Sequence, residues 1–296
     1  MTGWAPAERR AAGAVAVAAL GFSLISIWTI VATRDGMALS LFLLVRFVAA
    51  TVVLAPFVHR DPAPPPGRKL DARIMALGAI GQSLVAVLSL AALAWIPAAA
   101  LVALFYTFPA WITLGAAWRG TERLSMARGV ALVLSLVGVT CLVGWPGRAA
   151  LHPWGVALGI GAAVVYAIYV PLMARVMVGV PALRATWLVT AGVSLVFLIG
   201  TPARGELTLA VTPAAWGAAI GTGVFSTALA LLLFLRGLAT LGPVRTSIVS
   251  TVEPVFAALL AAVMVGQPIT LPMVVGGTLI MGAVVVLSLG DARQGR

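Results

Sequence analysis

Residues 105–125 read FYTFPAWITLGAAWRGTERLS, and residues 250–270 read STVEPVFAALLAAVMVGQPIT. A constant offset of 145 residues sets Pro109 on Pro254, Glu122 on Gln267, Leu124 on Ile269 and Ser125 on Thr270. Each stretch carries a proline that lies mid-way along its apolar segment, and each is closed by a polar turn that leads into another apolar segment. The same offset carries residues 93–143 onto 238–288. A segment of about 20 residues without interior charge spans a hydrocarbon core about 30 Å thick, at 1.5 Å per helical residue.

Working outward, the same pattern predicts ten membrane-spanning helices, at 11–33, 38–58, 72–95, 98–118, 126–145, 153–173, 182–201, 212–238, 244–265 and 270–290. The expected fold is therefore all-α integral membrane, with residues 1–147 and 148–296 as two five-helix repeats. Five spans per repeat is an odd number, so the second repeat enters the membrane upside down. The charges agree: the turn holding Arg119, Glu122 and Arg123 has a counterpart at 266–268 without any charge.

Composition supports the same class. The chain is 62% hydrophobic and only 9% charged, with mean hydropathy +1.12, where a soluble domain carries about 25% charged residues. Arg9 and Arg10 precede an apolar stretch longer than the roughly 7–15 residues of a secretory signal, which predicts a retained first helix. The lone Cys141 lies within a span and admits no intrachain disulfide. Between residues 59 and 71, Pro62, Pro64, Pro65 and Pro66 predict an extended connector.

The net charge of +11 invites a nucleic-acid reading, but its distribution argues for a topology signal. With the N-terminus inside, inner segments hold Arg9, Arg10, Arg60, Arg68, Lys69, Arg73, Arg119, Arg123, Arg128, Arg175, Arg184, Arg236, Arg245, Arg293 and Arg296. Outer segments hold only Arg34, Arg148 and Arg204. That asymmetry predicts cytoplasmic termini in an inner membrane, and contact with anionic lipid rather than nucleic acid. The preference for arginine over lysine, with abundant Ala, Gly and Val, points to a bacterial genome rich in G and C.

Inverted repeats are the architecture of alternating-access carriers, which hold substrate near the midplane where the halves meet. A repeat inherited by a channel or a structural membrane protein is the other reading. No cofactor or metal is expected: His59 and His152 are far apart in loops, and no glycine-rich phosphate loop with lysine exists, which excludes an ATP-driven pump on this chain. An intramembrane enzyme would need several catalytic groups at one depth. Only Arg46 and Glu253 are charged well inside spans.

Arg46-Phe47 followed by Ala49-Ala50, Pro109, residues 120–124 (GTERL), residues 166–169 (YAIY) and Glu253-Pro254 occur in order along the chain. In this combination the sequence resembles the EamA-type transporters of the drug/metabolite transporter superfamily, over essentially its whole length. The layout is similar to that of bacterial exporters of amino acids and other metabolites. Where the family often has Trp-Gly-x-Asn in its first span, this chain has Leu20-Gly21-Phe22-Ser23, so substrate contacts at that point are not carried over. The resemblance implies a central ring of spans 1, 3, 4, 6, 8 and 9, with span 2, and hence Arg46, outside it.

Both intramembrane charges sit roughly 12–14 Å from a membrane face, where an arginine costs about 2.5–3.5 kcal/mol and must face protein, water or a counter-charge. Glu253 is the candidate for proton coupling or for neutralising a substrate amine. Its structural alternative is to brace the Pro254 break, with Ser250 as a partner. Arg46 reads as a substrate contact or as a structural charge that caps carbonyls or pairs between helices. Pro109 and Pro254 are candidate hinges, and packing relief is the alternative.

Candidate lining residues are Gln82, Ser83, Ser250, Tyr106, Tyr166, Tyr169 and Trp28. Ser89, Ser247, Thr251, Phe105 and Trp111 also lie at span depth, whereas Trp4, Trp145, Trp154 and Trp216 read as interfacial belt. A sparsely charged aromatic lining suits amphipathic solutes. The expected function is a secondary carrier, working as a monomer, that exports small amphipathic metabolites, first among them amino acids, including aromatic or hydrophobic ones. The alternative is an uncoupled, channel-like facilitator for metabolites or drugs.

Overall fold

A computed structural model describes residues 4–61, 67–121, 125–143, 151–266 and 268–294. The Pro62–Pro66 segment, Glu122, Arg123, Leu124, Trp145, Arg148, Gln267 and Arg296 lie outside the described residues, so the readings placed on them concern sequence alone.

The described residues are helical, without a strand. The elements are α1 (Pro6–Arg34), α2 (Leu39–His59), α3 (Arg68–Leu93), α4 (Ala98–Phe105), α5 (Phe108–Trp118), α6 (Met126–Val143), α7 (Pro153–Val176) and α8 (Ala182–Ala203). They continue with α9 (Pro213–Gly221), a π-helical segment (Thr222–Leu229), α10 (Ala230–Ser250), α11 (Glu253–Val265) and α12 (Leu271–Gln294). Among the described residues, eight helical runs are long and apolar enough to cross a membrane, α4 with α5 and α9 through α10 each forming one run, and two shorter apolar helices, Met126–Leu142 and Glu253–Met264, accompany them. In lipid the backbone is tolerated only where its hydrogen bonds close within the protein, and a helix closes them within one segment.

The helices stop and start where backbone chemistry requires. Proline opens α1, α5, α7, α9 and α11 within their first two positions, where its missing N–H has no helical partner to lose. The Thr212 hydroxyl accepts from Ala215 N at 3.2 Å and caps α9. Inside α10 the helix breaks at Gly242, with φ 75° and ψ 172°, a conformation that glycine takes without steric cost.

Packing is dominated by α6 on α12, α1 on α10, α3 between α7 and α8, and α2 against α8 and the π segment. Small residues allow these approaches. A Cβ at Gly276 would stand 2.5 Å from the Gly138 carbonyl, and a Cβ at Gly138 2.8 Å from that of Gly276. Backbone meets backbone there, as is common for membrane helices.

Polar contacts sort the helix ends onto two faces. On one, Arg245 pairs with Glu8 at 2.7 Å and Arg184 pairs with Asp71. On the other, the Thr201 hydroxyl donates to the Ser40 carbonyl at 3.2 Å, the Thr212 hydroxyl donates to Asp35, and Trp95 stacks on His152 with centroids 4.3 Å apart. The first face is the arginine-bearing one of the sequence reading. Among the belt tryptophans, Trp154 is exposed, but Trp4 is buried inside the protein.

Candidate functional site

The apolar segments 98–118 and 244–265 are each interrupted. The first breaks at Tyr106-Thr107 and the second at Thr251-Val252, immediately before Phe108-Pro109 and Glu253-Pro254. The two turns use the same backbone bonds 145 residues apart. Thr107 N donates to Leu104 O, Ala110 N to Thr107 O and Trp111 N to Thr107 O; their counterparts are Val252 N to Val249 O, Val255 N to Val252 O and Phe256 N to Val252 O. Each proline lacks the N–H that would bond the carbonyl four residues back, so a tight turn replaces a helical one.

Glu253 thus becomes the first residue of α11, half-buried, at the end of a short helix where the N-terminal dipole favours a negative group. The Tyr106 hydroxyl, at the matched break, lies within hydrogen-bonding reach of its carboxyl. Arg46 is close enough to act electrostatically on the same carboxyl. Its Nε donates to the Thr227 hydroxyl at 2.6 Å, and its guanidinium lies 5.0 Å from the Phe47 centroid. The Thr227 hydroxyl in turn donates to Thr222 O at 3.1 Å, across one turn of the π segment. Arg46 therefore joins α2 to the π segment, the interhelical pairing expected of a structural charge, while also facing Glu253. The approach depends on Gly223, where a Cβ would sit 2.5 Å from the Arg46 carbonyl.

Beside this group lies an aromatic cluster. Tyr166 meets Phe108 edge-on at 4.9 Å and Phe105 at 5.4 Å; Tyr106 lies 5.9 Å from Phe108, and Tyr169 6.1 Å from Tyr166. These separations fall in the favourable range for ring pairs. Tyr169 is seated on Gly81, where a Cβ would collide with its ring. Gln82 faces the Tyr169 hydroxyl, although that hydroxyl closes no hydrogen bond of good geometry among the described residues.

The structure thus brings together Glu253, Arg46, Tyr106, Tyr166, Tyr169 and Gln82. Others belong elsewhere. Ser250 donates to its own helix at Ser247 O, 2.8 Å away, and so does not brace Glu253. Ser247 and Thr251 likewise bond back to Val244 O and Ile248 O, so these hydroxyls satisfy their own helix rather than a neighbour. Trp28 packs edge-on against Phe225 at 6.1 Å and over Gly221, where α1 meets α9 and the π segment and not among the tyrosines. Ser83 is buried, with no partner for its hydroxyl among the described residues. Pro109 and Pro254 are both buried. Thr227, Gly223, Gly81 and Phe108 were not singled out from the sequence. The glycines carried a signal only as helix-packing residues, and Phe108 only as the residue at the Glu253 offset.

Interrupted helices that bring a carboxyl, a guanidinium and tyrosines together inside a bundle of apolar helices define a multi-pass membrane protein with a polar centre. Residues 153–289, a little under half of the chain, match the EamA-like transporter family, which supports an EamA-type transporter of the drug/metabolite transporter superfamily. The chain is 37% identical over 73 residues to an uncharacterized inner membrane transporter of Salmonella typhimurium, YicL, a stretch that covers 25% of this chain and 24% of that protein. It is 28% identical over 167 residues to the uncharacterized transporter YwfM of Bacillus subtilis, covering 56% of this chain and 55% of that one. The matched region therefore spans about half, or less, of these relatives. A crystal structure 19% identical in sequence has a TM-score of 0.72 over 92% of this chain and 98% of that chain, a likeness of fold.

Proposed function

We propose that the protein is a secondary carrier that exports small amphipathic metabolites, amino acids first among them, across a bacterial inner membrane. Its two five-helix halves, 1–147 and 148–296, cross the membrane ten times, with both termini in the cytoplasm, and alternate access to the polar centre. The observation that carries this reading is the meeting of Tyr106 and Glu253 at two helix breaks that share their backbone bonds at a constant offset. Discontinuous helices at a repeat interface are where carriers place substrate and coupling ions.

The packing supports two related halves. The pairing of α1 with α10 has a counterpart in α7 with α3, and that of α3 with α8 in the π segment with α2. Chemistry supports the substrate class. A carboxylate beside tyrosine rings suits an ammonium group, by charge and by cation–π attraction. A guanidinium suits a carboxylate, and the remaining phenyl surface suits an apolar side chain.

The test is counterflow in proteoliposomes preloaded with amino acids. Saturable, competed exchange of a labelled amino acid is expected; linear flux without saturation would instead establish a facilitator.

A further inference from the structure

Away from the central group, the C-terminal ends of α5 and α7 and the Gly242 break of α10 enclose a cavity of about 310 Å³. Ile112, Leu238 and Val244, all nearly inaccessible, form its apolar floor. Ile112 lies one helical turn beyond Phe108, so the floor separates this cavity from the aromatic cluster. Arg119 and Arg175 stand at its rim, both exposed, together with Thr121.

Neither arginine has a carboxylate partner among the described residues. The Arg119 Nε donates to Gly115 O at 3.0 Å, which occupies one of a guanidinium's five N–H donors and leaves the others to the cavity. Arg175 closes no hydrogen bond among the described residues. Favourable interaction with a helix C-terminus explains a basic residue in a last turn. It does not explain why two such residues from different helices border one concave space with an apolar floor. The third wall depends on Gly242, whose positive φ turns Pro243 and Val244 across the cavity.

We propose that this cavity binds the anionic group, carboxylate or phosphate, of a small amphipathic solute reaching the protein from its arginine-bearing face. The two guanidiniums hold the anion and the floor receives the apolar body. As the first stop of an exported solute the cavity rests on the carrier reading; as a binding site it does not. The headgroup of an anionic phospholipid offers the same chemistry.

The experiment is equilibrium binding of labelled benzoate to the full chain in phosphatidylcholine nanodiscs, with benzyl alcohol as the neutral control. Benzoate should bind, weaken on raising salt, and lose affinity about tenfold, or 1.4 kcal/mol, in the Arg119→Gln/Arg175→Gln pair. Benzyl alcohol should bind far less. The Arg119→Lys/Arg175→Lys pair should keep most of the affinity, and it carries the test together with salt dependence if the glutamine pair fails to assemble. Adding phosphatidylglycerol distinguishes the sources. Weakened benzoate binding in the wild type but not in the glutamine pair identifies a lipid headgroup at the site, and unchanged binding in both identifies a soluble anion. Equal binding of benzyl alcohol and benzoate, insensitivity to salt, or undiminished binding by the glutamine pair overturns the proposal. Protein that performs counterflow but does not bind benzoate overturns this site and leaves the carrier reading standing.

Discussion

The Tyr106 hydroxyl faces the Glu253 carboxyl across the centre of the protein, each residue at the interruption of its own span. One closes α4 and the other opens α11, and an offset of 145 residues relates the two turns. The carboxyl belongs to the second half of the sequence and the groups that face it, Tyr106 and Arg46, belong to the first, so any relative movement of the halves changes its surroundings.

Glu253→Gln should abolish gradient-driven accumulation or shift its pH dependence in protein that still reaches the membrane. The amide keeps the size and hydrogen-bonding capacity of the side chain but cannot ionise. Uphill transport with an unaltered pH profile would assign Glu253 to structure. Loss of counterflow as well as accumulation would mean that it contacts substrate rather than serving coupling alone.

Pro254→Ala should lower turnover more than substrate affinity. Alanine restores an N–H that can bond the Ser250 carbonyl and so stiffens the break. Initial-rate measurements on equally expressed protein separate the two parameters, and unchanged flux would reduce the proline to a packing residue.

Gly81→Ala should destabilise the protein by about 1–3 kcal/mol, the usual cost of overpacking, because the added methyl collides with the Tyr169 ring. Thermal unfolding in detergent reads the loss. In a Tyr169→Ala background the same substitution should cost much less, and equal cost in both backgrounds would show that the contact is unimportant.

Topology is tested by cysteine labelling in a Cys141→Ser background. Cysteines placed near Glu8 and in the Pro62–Pro66 segment should be shielded from an impermeant reagent added to intact cells. One placed near Glu206 should react. Labelling of the proline segment from outside would reverse the assigned orientation.

The all-helical membrane class, the apolar segments that form helices and the two matched prolines were legible in the sequence, because hydropathy and charge act locally: each segment of about 20 residues must satisfy the bilayer by its own composition. Arg46 and Glu253 stood out for the same reason, as charges at a depth where charge is costly. Their partners were not legible. Which side chains meet depends on the rotation and approach of helices, set by close contacts such as Gly223 against the Arg46 carbonyl and Gly81 under Tyr169. These pairings join residues far apart in the chain. Tertiary packing alone therefore placed Tyr106 rather than Ser250 at Glu253, sent Arg46 to Thr227, and seated Trp28 against Phe225. It also brought Arg119 and Arg175, equivalent to a dozen other basic residues when read in sequence, to the rim of one cavity.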